Sequence, residues 1–210
     1  FPAKVPYTLT DMAHDGIGVL DALGVDRAHV VGASMGGMIV QLMAVHHPER
    51  LLSMTSIMST TGNPKLPQAE THAINALIAP LKGMDEETLV AHGINIAKNI
   101  GSPGFPFDPD QQREKVLKNV RRSVYPAGPP RQLAAIIDDG CRRARLANVR
   151  VPTLVLHGED DPLVKLAAGE DTARHISGAR LVTIAGWGHD IPLPLVERVA
   201  SEIVSHARGR

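Results

Sequence analysis

Apolar residues recur along this chain in two rhythms. A short continuous run at Val30 and Val31 leads into Gly32-Ala33-Ser34-Met35-Gly36, and beyond it Met38, Ile39, Leu42, Met43 and Val45 fall three or four apart. That pattern predicts a buried strand, a sharp turn and an amphipathic helix. Upstream, Met12, Ile17, Leu20 and Leu23 give one apolar side to a helix that Thr8 and Asp11 open and Gly24 closes. Thr8 and Asp11 have the spacing of a capping box with Asp in place of Glu. Residues 1–7, with two prolines, read as an extended lead-in. Downstream, Pro48-Glu49-Arg50 ends the helix and residues 51–59 form a second apolar run. A strand within 151–164 opens into an acidic loop, a helical pattern covers 166–177, a strand covers 180–186, and an amphipathic helix covers 193–207.

Strand, helix, strand with continuously apolar strands predicts an α/β fold: a mostly parallel sheet with flanking helices. Residues 60–147 differ. Prolines and glycines cluster there, with helical patterns at 68–82, 85–99, 109–124 and 130–146 and no strong strand. This block reads as a helical lid inserted into a core made of 1–59 and 148–210. Met84, Ile94, Phe105, Phe107 and Leu133 are its candidates for lining an apolar substrate pocket, and Arg142, Arg143 and Arg145 are expected on a solvated helix face.

Composition narrows the function. A chain of 210 residues fits one well-buried domain, and 3% aromatic content leaves the core to aliphatic residues and methionine. Twenty-two basic residues balance 22 acidic ones, so neither nucleic acid nor an anionic membrane is an expected partner. Cys141 stands alone, which excludes an internal disulfide and fits a reducing, cytoplasmic compartment. No apolar run reaches the ~18 residues of a spanning helix. No metal-spaced ligand cluster is present, and no cofactor is expected. His46 and His47 fall in a last helical turn that imidazole complements, and His14 and Asp15 fall on an exposed side.

The turn at Ser34 has the form G-x-S-x-G between strand and helix, a nucleophile elbow. Small residues let strand and helix cross closely while the hydroxyl stands clear. The Met35 N–H at the helix start is the expected oxyanion donor. A serine needs a base, itself oriented by an acid. Loops after parallel strands converge on one edge of a sheet. Two such loops supply the partners: one holds Glu159, Asp160 and Asp161, the other is Gly186-Trp187-Gly188-His189-Asp190.

The order Ser, acid, His is that of α/β hydrolases, and "LHGEDDPLV" and "GWGHD" resemble the acid and histidine loops of that fold family. The resemblance implies Ser34, Asp161 and His189 as the catalytic triad, with Asp160 the rival acid and His157 structural. "VVGASMGGMIVQLMA" and "HPERLLSMTSIMS" are most similar to small bacterial esterases of the kind that includes anthracycline methylesterases. The implied activity is hydrolysis of a small-molecule carboxylic ester through an acyl-enzyme. "SMGG" recurs in enol-lactonases, C–C bond hydrolases and cofactor-free perhydrolases or haloperoxidases, so the substrate stays open.

The sequence also departs from the family pattern. About four strands normally precede the elbow strand, one followed by an H-G loop that gives a second oxyanion N–H. Here only about 27 residues precede it and no such motif stands upstream of Ser34. The chain therefore reads as an N-terminally truncated hydrolase whose elbow strand becomes a sheet edge. A second copy or a missing N-terminal segment is expected to cover that edge. A catalytically incompetent remnant acting as a binding module is the rival to an enzyme.

Overall fold

A computed structural model of the chain describes residues 5–209. Of the expected lead-in, residues 1–4 lie outside the described residues. The order of elements begins with α1 (Leu9–Ala22), β1 (Ala28–Ala33), α2 (Met35–His46) and β2 (Leu51–Ile57). It ends with β3 (Thr153–Gly158), α8 (Leu166–His175), β4 (Arg180–Ile184) and α9 (Leu193–Ala207). Between β2 and β3 lie α3 (Thr71–Ile78), α4 (Glu86–Ile100), α5 (Pro109–Arg122), α6 (Gly128–Asp139) and the short α7 (Arg143–Leu146).

The four strands pair in parallel in the order β1-β2-β3-β4. Every residue of β3 is buried, as a central parallel strand requires. Alternate side chains of β3 face opposite sides. Leu154 and Leu156 join Ile184, Trp187 and the α9 residues Leu195 and Val199 in one cluster. His157 points the other way, against Gly169 of α8. A second cluster unites Leu9, Ala13 and Ile17 of α1 with Leu42 and Met43 of α2 and Leu51 and Met54 of β2. The elbow strand β1 stands at the edge, and among the described residues its outer side has no strand partner.

The capping box forms: Thr8 N–H donates to Asp11 Oδ2 at 2.8 Å and Asp11 N–H to Thr8 Oγ1 at 3.0 Å. Ile17 is buried and Met12 and Leu20 pack against the α1–α2 cluster as expected, Leu9 and Ala13 join them, and Leu23, past the end of α1, is exposed. The apolar run 51–59 stops being strand at Ile57, since Met58 takes a left-handed φ of 42°. The helix expected over 68–82 is confined to α3.

The long helix expected over 130–146 is broken. Gly140, at φ +60°, ends α6, and the chain turns before α7. The break lets the two stems of the insertion touch: a β-carbon on Gly62 would sit 2.0 Å from the Gly140 carbonyl oxygen. It also overturns the expectation that Arg142 lies on a solvated face. Arg142 is fully buried and its guanidinium donates to Gln41 Oε1 of α2 at 3.0 Å, to the Thr60 carbonyl at 2.6 Å and to Asp139. A charge without water must be paired and hydrogen-bonded, and every arm here is. Arg143 pairs with buried Asp171, which also accepts from Thr61 Oγ1 at 2.6 Å. Burial raises the Asp171 pKa, but the hydrogen bonds from Arg143 and Thr61 outweigh it and hold it below its usual value. Ala135 and Leu146 join the α1–α2 cluster, so the end of the insertion packs into the main core.

Candidate active site

The turn at Ser34 lies at the junction of β1 and α2. Ser34 has φ 55° and ψ −119°, a left-handed conformation that costs a non-glycine residue of order 1–3 kcal/mol. Its N–H donates to the Ile57 carbonyl of β2 at 2.9 Å, which ties the turn to the sheet. A β-carbon on Gly32 would fall 2.0 Å from the Gly36 carbonyl oxygen, so strand and helix cross backbone to backbone. Gly36 itself faces open space, whereas a β-carbon on Gly37 would meet Ser59 Cβ at 2.5 Å. The close-packed glycines are thus Gly32 and Gly37, and the motif alone does not mark Gly37. Met35 begins α2, and its N–H has no acceptor among the described residues.

Three loops bring their side chains together. Ser34 Oγ lies 2.9 Å from His189 Nε2, and His189 Nδ1 lies 2.7 Å from Asp161 Oδ2. A carboxylate accepts, so Nδ1 carries the proton and Nε2 presents its lone pair to the serine hydroxyl. Asp161 is 1% exposed, and its Oδ1 accepts from the Leu163 and Val164 N–H groups at 2.8 Å each. Its neighbours serve the loop instead. Asp160 Oδ2 accepts from the Gly186 N–H at 2.7 Å, and Glu159 from Thr183 Oγ1 at 2.7 Å. Of the three acids only Asp161 reaches the imidazole.

The histidine loop is held from the insertion. The His189 N–H donates to the Ile100 carbonyl at 2.7 Å, and the Gly188 N–H to Ser102 Oγ at 2.9 Å, while Ser102 Oγ donates to Asp190. Gly104 and Gly186 touch, a β-carbon on Gly104 falling 2.5 Å from Gly186 Cα. Sequence reasoning missed Ser102 and Asp190. The signal was the cluster of glycine, serine and proline at 101–104, which reads as a turn and says nothing of what it grips.

A cleft of about 910 Å³ opens beside this loop, walled by Phe105, Phe107, Asp160, Pro162, Asp190 and Ile191 among others. Phe105 and Phe107 therefore line a cleft, but Ser34 and His189 do not face it. Met84 and Leu133 lie outside it, 56% and 40% exposed. For Leu133 the reason is the orientation of α6, which turns Ala134 and Ala135 inward. Among the described residues no group of three His, Cys, Asp or Glu could hold a metal ion. None of their helices is long and apolar enough to cross a membrane.

Known proteins agree with this architecture. The chain is 31% identical to rhodomycin D methylesterase DauP of Streptomyces sp. (strain C5), over 97% of its own length and 74% of that protein. It is 27% identical to 3-oxoadipate enol-lactonase 2 of Acinetobacter baylyi, over 81% of its length and 60% of the other's. Among solved structures, the meta-cleavage product hydrolase CumD of Pseudomonas fluorescens IP01 superposes with a TM-score of 0.75 at 18% identity, covering 99% of this chain and 74% of that one. The alpha/beta hydrolase fold family matches residues 2–194, and the chain belongs to that family.

Proposed function

We propose that the chain is a serine hydrolase that cleaves a carboxylic ester through an acyl-enzyme. The observation that carries this reading is the unbroken run of hydrogen bonds from Ser34 Oγ through His189 to buried Asp161. His189 Nε2 takes the serine proton as Oγ bonds to the ester carbon. The Met35 N–H and the positive end of α2 stabilise the oxyanion. His189 then returns the proton to the departing alkoxide, the C–O bond breaks, and the alcohol leaves Ser34 acylated. Water attacks the acyl carbon by the same proton route and frees the acid. Asp161 holds the imidazole in the productive tautomer throughout. The methylesterase relative supports a small alkoxy leaving group. The enol-lactonase relative supports a second reading, an enol-lactone opened by the same triad.

A fluorophosphonate probe and a panel of methyl esters test the proposal. Wild type is expected to take the label on Ser34 and to release methanol, and Ser34→Ala to do neither. Equal behaviour of the two proteins would sink it and favour a binding module. Faster turnover of an enol-lactone than of any methyl ester would select the second reading.

A further inference from the structure

His157 lies beneath the acid loop with its side chain wholly buried. Its Nε2 is 2.7 Å from the Val164 carbonyl oxygen. A carbonyl only accepts, so Nε2 carries the hydrogen and Nδ1 is bare. That Nδ1 has no partner. The cause is α8, which packs against this edge so closely that a β-carbon on Gly169 would fall 2.5 Å from it. A second proton would have no acceptor, and burial lowers the pKa of the ring. His157 is a neutral single donor aimed at one carbonyl.

That carbonyl belongs to a residue doing other work. Val164 donates its own N–H to Asp161 Oδ1 at 2.8 Å, while His157 Nε2 also stands 3.8 Å from Asp161 Oδ2, the oxygen that meets His189. We propose that His157 is a positioning residue. By gripping Val164 it fixes the turn over 161–164 and so holds Asp161 Oδ2 on His189 Nδ1. The proposal rests on the triad reading above. The charged and titratable groups that face the ring are Asp161 of the acid loop, His189 of the histidine loop and Glu170 of α8.

The test compares His157→Leu, which fills the space without a donor, with His157→Gln, whose side-chain amide can reach the Val164 carbonyl. On a methyl ester, His157→Leu is expected to lower kcat by roughly 100-fold with KM within twofold, the scale of a misplaced catalytic group. Labelling of Ser34 by the fluorophosphonate should slow in proportion, because the His189 imidazole loses its aligned carboxylate. His157→Gln should restore most of both. Proton NMR gives a readout independent of turnover: the downfield resonance of the His189 Nδ1–H should persist in wild type and His157→Gln and vanish in His157→Leu. Should the leucine variant fail to fold, His157→Asn, too short for the carbonyl, takes its place against glutamine. A fall in melting temperature with kcat, labelling rate and resonance unchanged would overturn the proposal, as would equal losses in the glutamine and leucine variants. A wild type that neither labels nor turns over esters would end the serine-hydrolase reading, and the resonance would still decide the role of His157.

Discussion

Gly32 and Gly36 meet backbone to backbone across the elbow, and only one of them lacks room for a side chain. A β-carbon on Gly32 would lie 2.0 Å from Gly36 O, while one on Gly36 would touch nothing within 4 Å. Gly32→Ala is therefore expected to destabilise the fold by about 3 kcal/mol, the upper range of overpacking, and to abolish labelling of Ser34. Gly36→Ala should stay within about 1 kcal/mol of wild type, since alanine is the better helix former. Urea denaturation of the two variants checks this, and a Gly36→Ala as damaged as Gly32→Ala would contradict the geometry.

Asp160 and Asp161 are adjacent acids with different partners. Asp161→Asn keeps the size of the side chain but lets the amide present N–H toward His189 Nδ1, favouring the wrong tautomer. A loss of about 10⁴ in kcat is expected, with KM little changed. Asp160→Asn removes only the charge on a hydrogen bond to the Gly186 N–H and should retain activity within about tenfold. Steady-state kinetics on one ester decide between them. A reversal of the two effects would move the acid role to Asp160.

How much of this was legible in the residues depends on whether the signal was local. The elbow, the capping box and the order of Ser34, Asp161 and His189 are written in short stretches, so pattern and chemistry suffice to read them. Arg142 was misread because a run of arginines on a helical pattern is normally solvated. Its burial follows from Gly140, whose left-handed φ breaks that helix and turns the guanidinium toward Gln41 and Asp139. The partners of Ser102 were equally hidden, since Asp190 is 88 residues away and nothing in either neighbourhood names the other. Met84 and Leu133 were chosen for apolar character alone, which does not tell that Met84 sits in the turn between α3 and α4 or that Leu133 lies on the outer side of α6.

Arg142 also makes a stability prediction. Asp139 accepts from both Arg142 and Arg145 and is itself nearly buried. Asp139→Ala leaves the guanidinium of Arg142 buried without its counter-charge, and breaking such a pair from one side costs about 3–5 kcal/mol. Arg142→Met in the same background removes the stranded charge and should recover more than half of that loss. Melting curves of the single and double variants check the recovery. A double variant less stable than Asp139→Ala would show the cost lay elsewhere.

Part of the pH dependence of folding follows from His157, beside His46 and His206, whose pKa values burial also lowers. The His157 pKa is lowered in the fold by burial, so the unfolded chain binds the proton more readily. Stability contributed by the neutral ring is present above the unfolded value of 6.5 and is lost as pH falls below it. The slope is at most one proton, about 1.4 kcal/mol per pH unit. Asp171 has the same sign in a separate window: its pKa is held below 3.8, so its contribution begins to fade only beneath that pH. Chemical denaturation between pH 7.5 and 5 should therefore show falling stability in wild type and a flatter curve in His157→Gln. Parallel curves would mean the fold tolerates a charged ring.

Ser102 joins the insertion to the histidine loop. Its hydroxyl receives the Gly188 N–H and donates to Asp190, and two residues earlier the Ile100 carbonyl takes the His189 N–H. The residues on both sides of His189 are thus fastened to the end of α4, so the placement of the imidazole depends on that segment staying closed against the sheet. Ser102→Ala leaves the Gly188 N–H and the Asp190 carboxylate without their shared partner while keeping the Ile100 contact. Partial loosening of the loop is expected, with kcat lower by roughly tenfold to 100-fold and labelling of Ser34 slowed in proportion. Unchanged kinetics in Ser102→Ala would mean that the Ile100 carbonyl alone holds His189 in place.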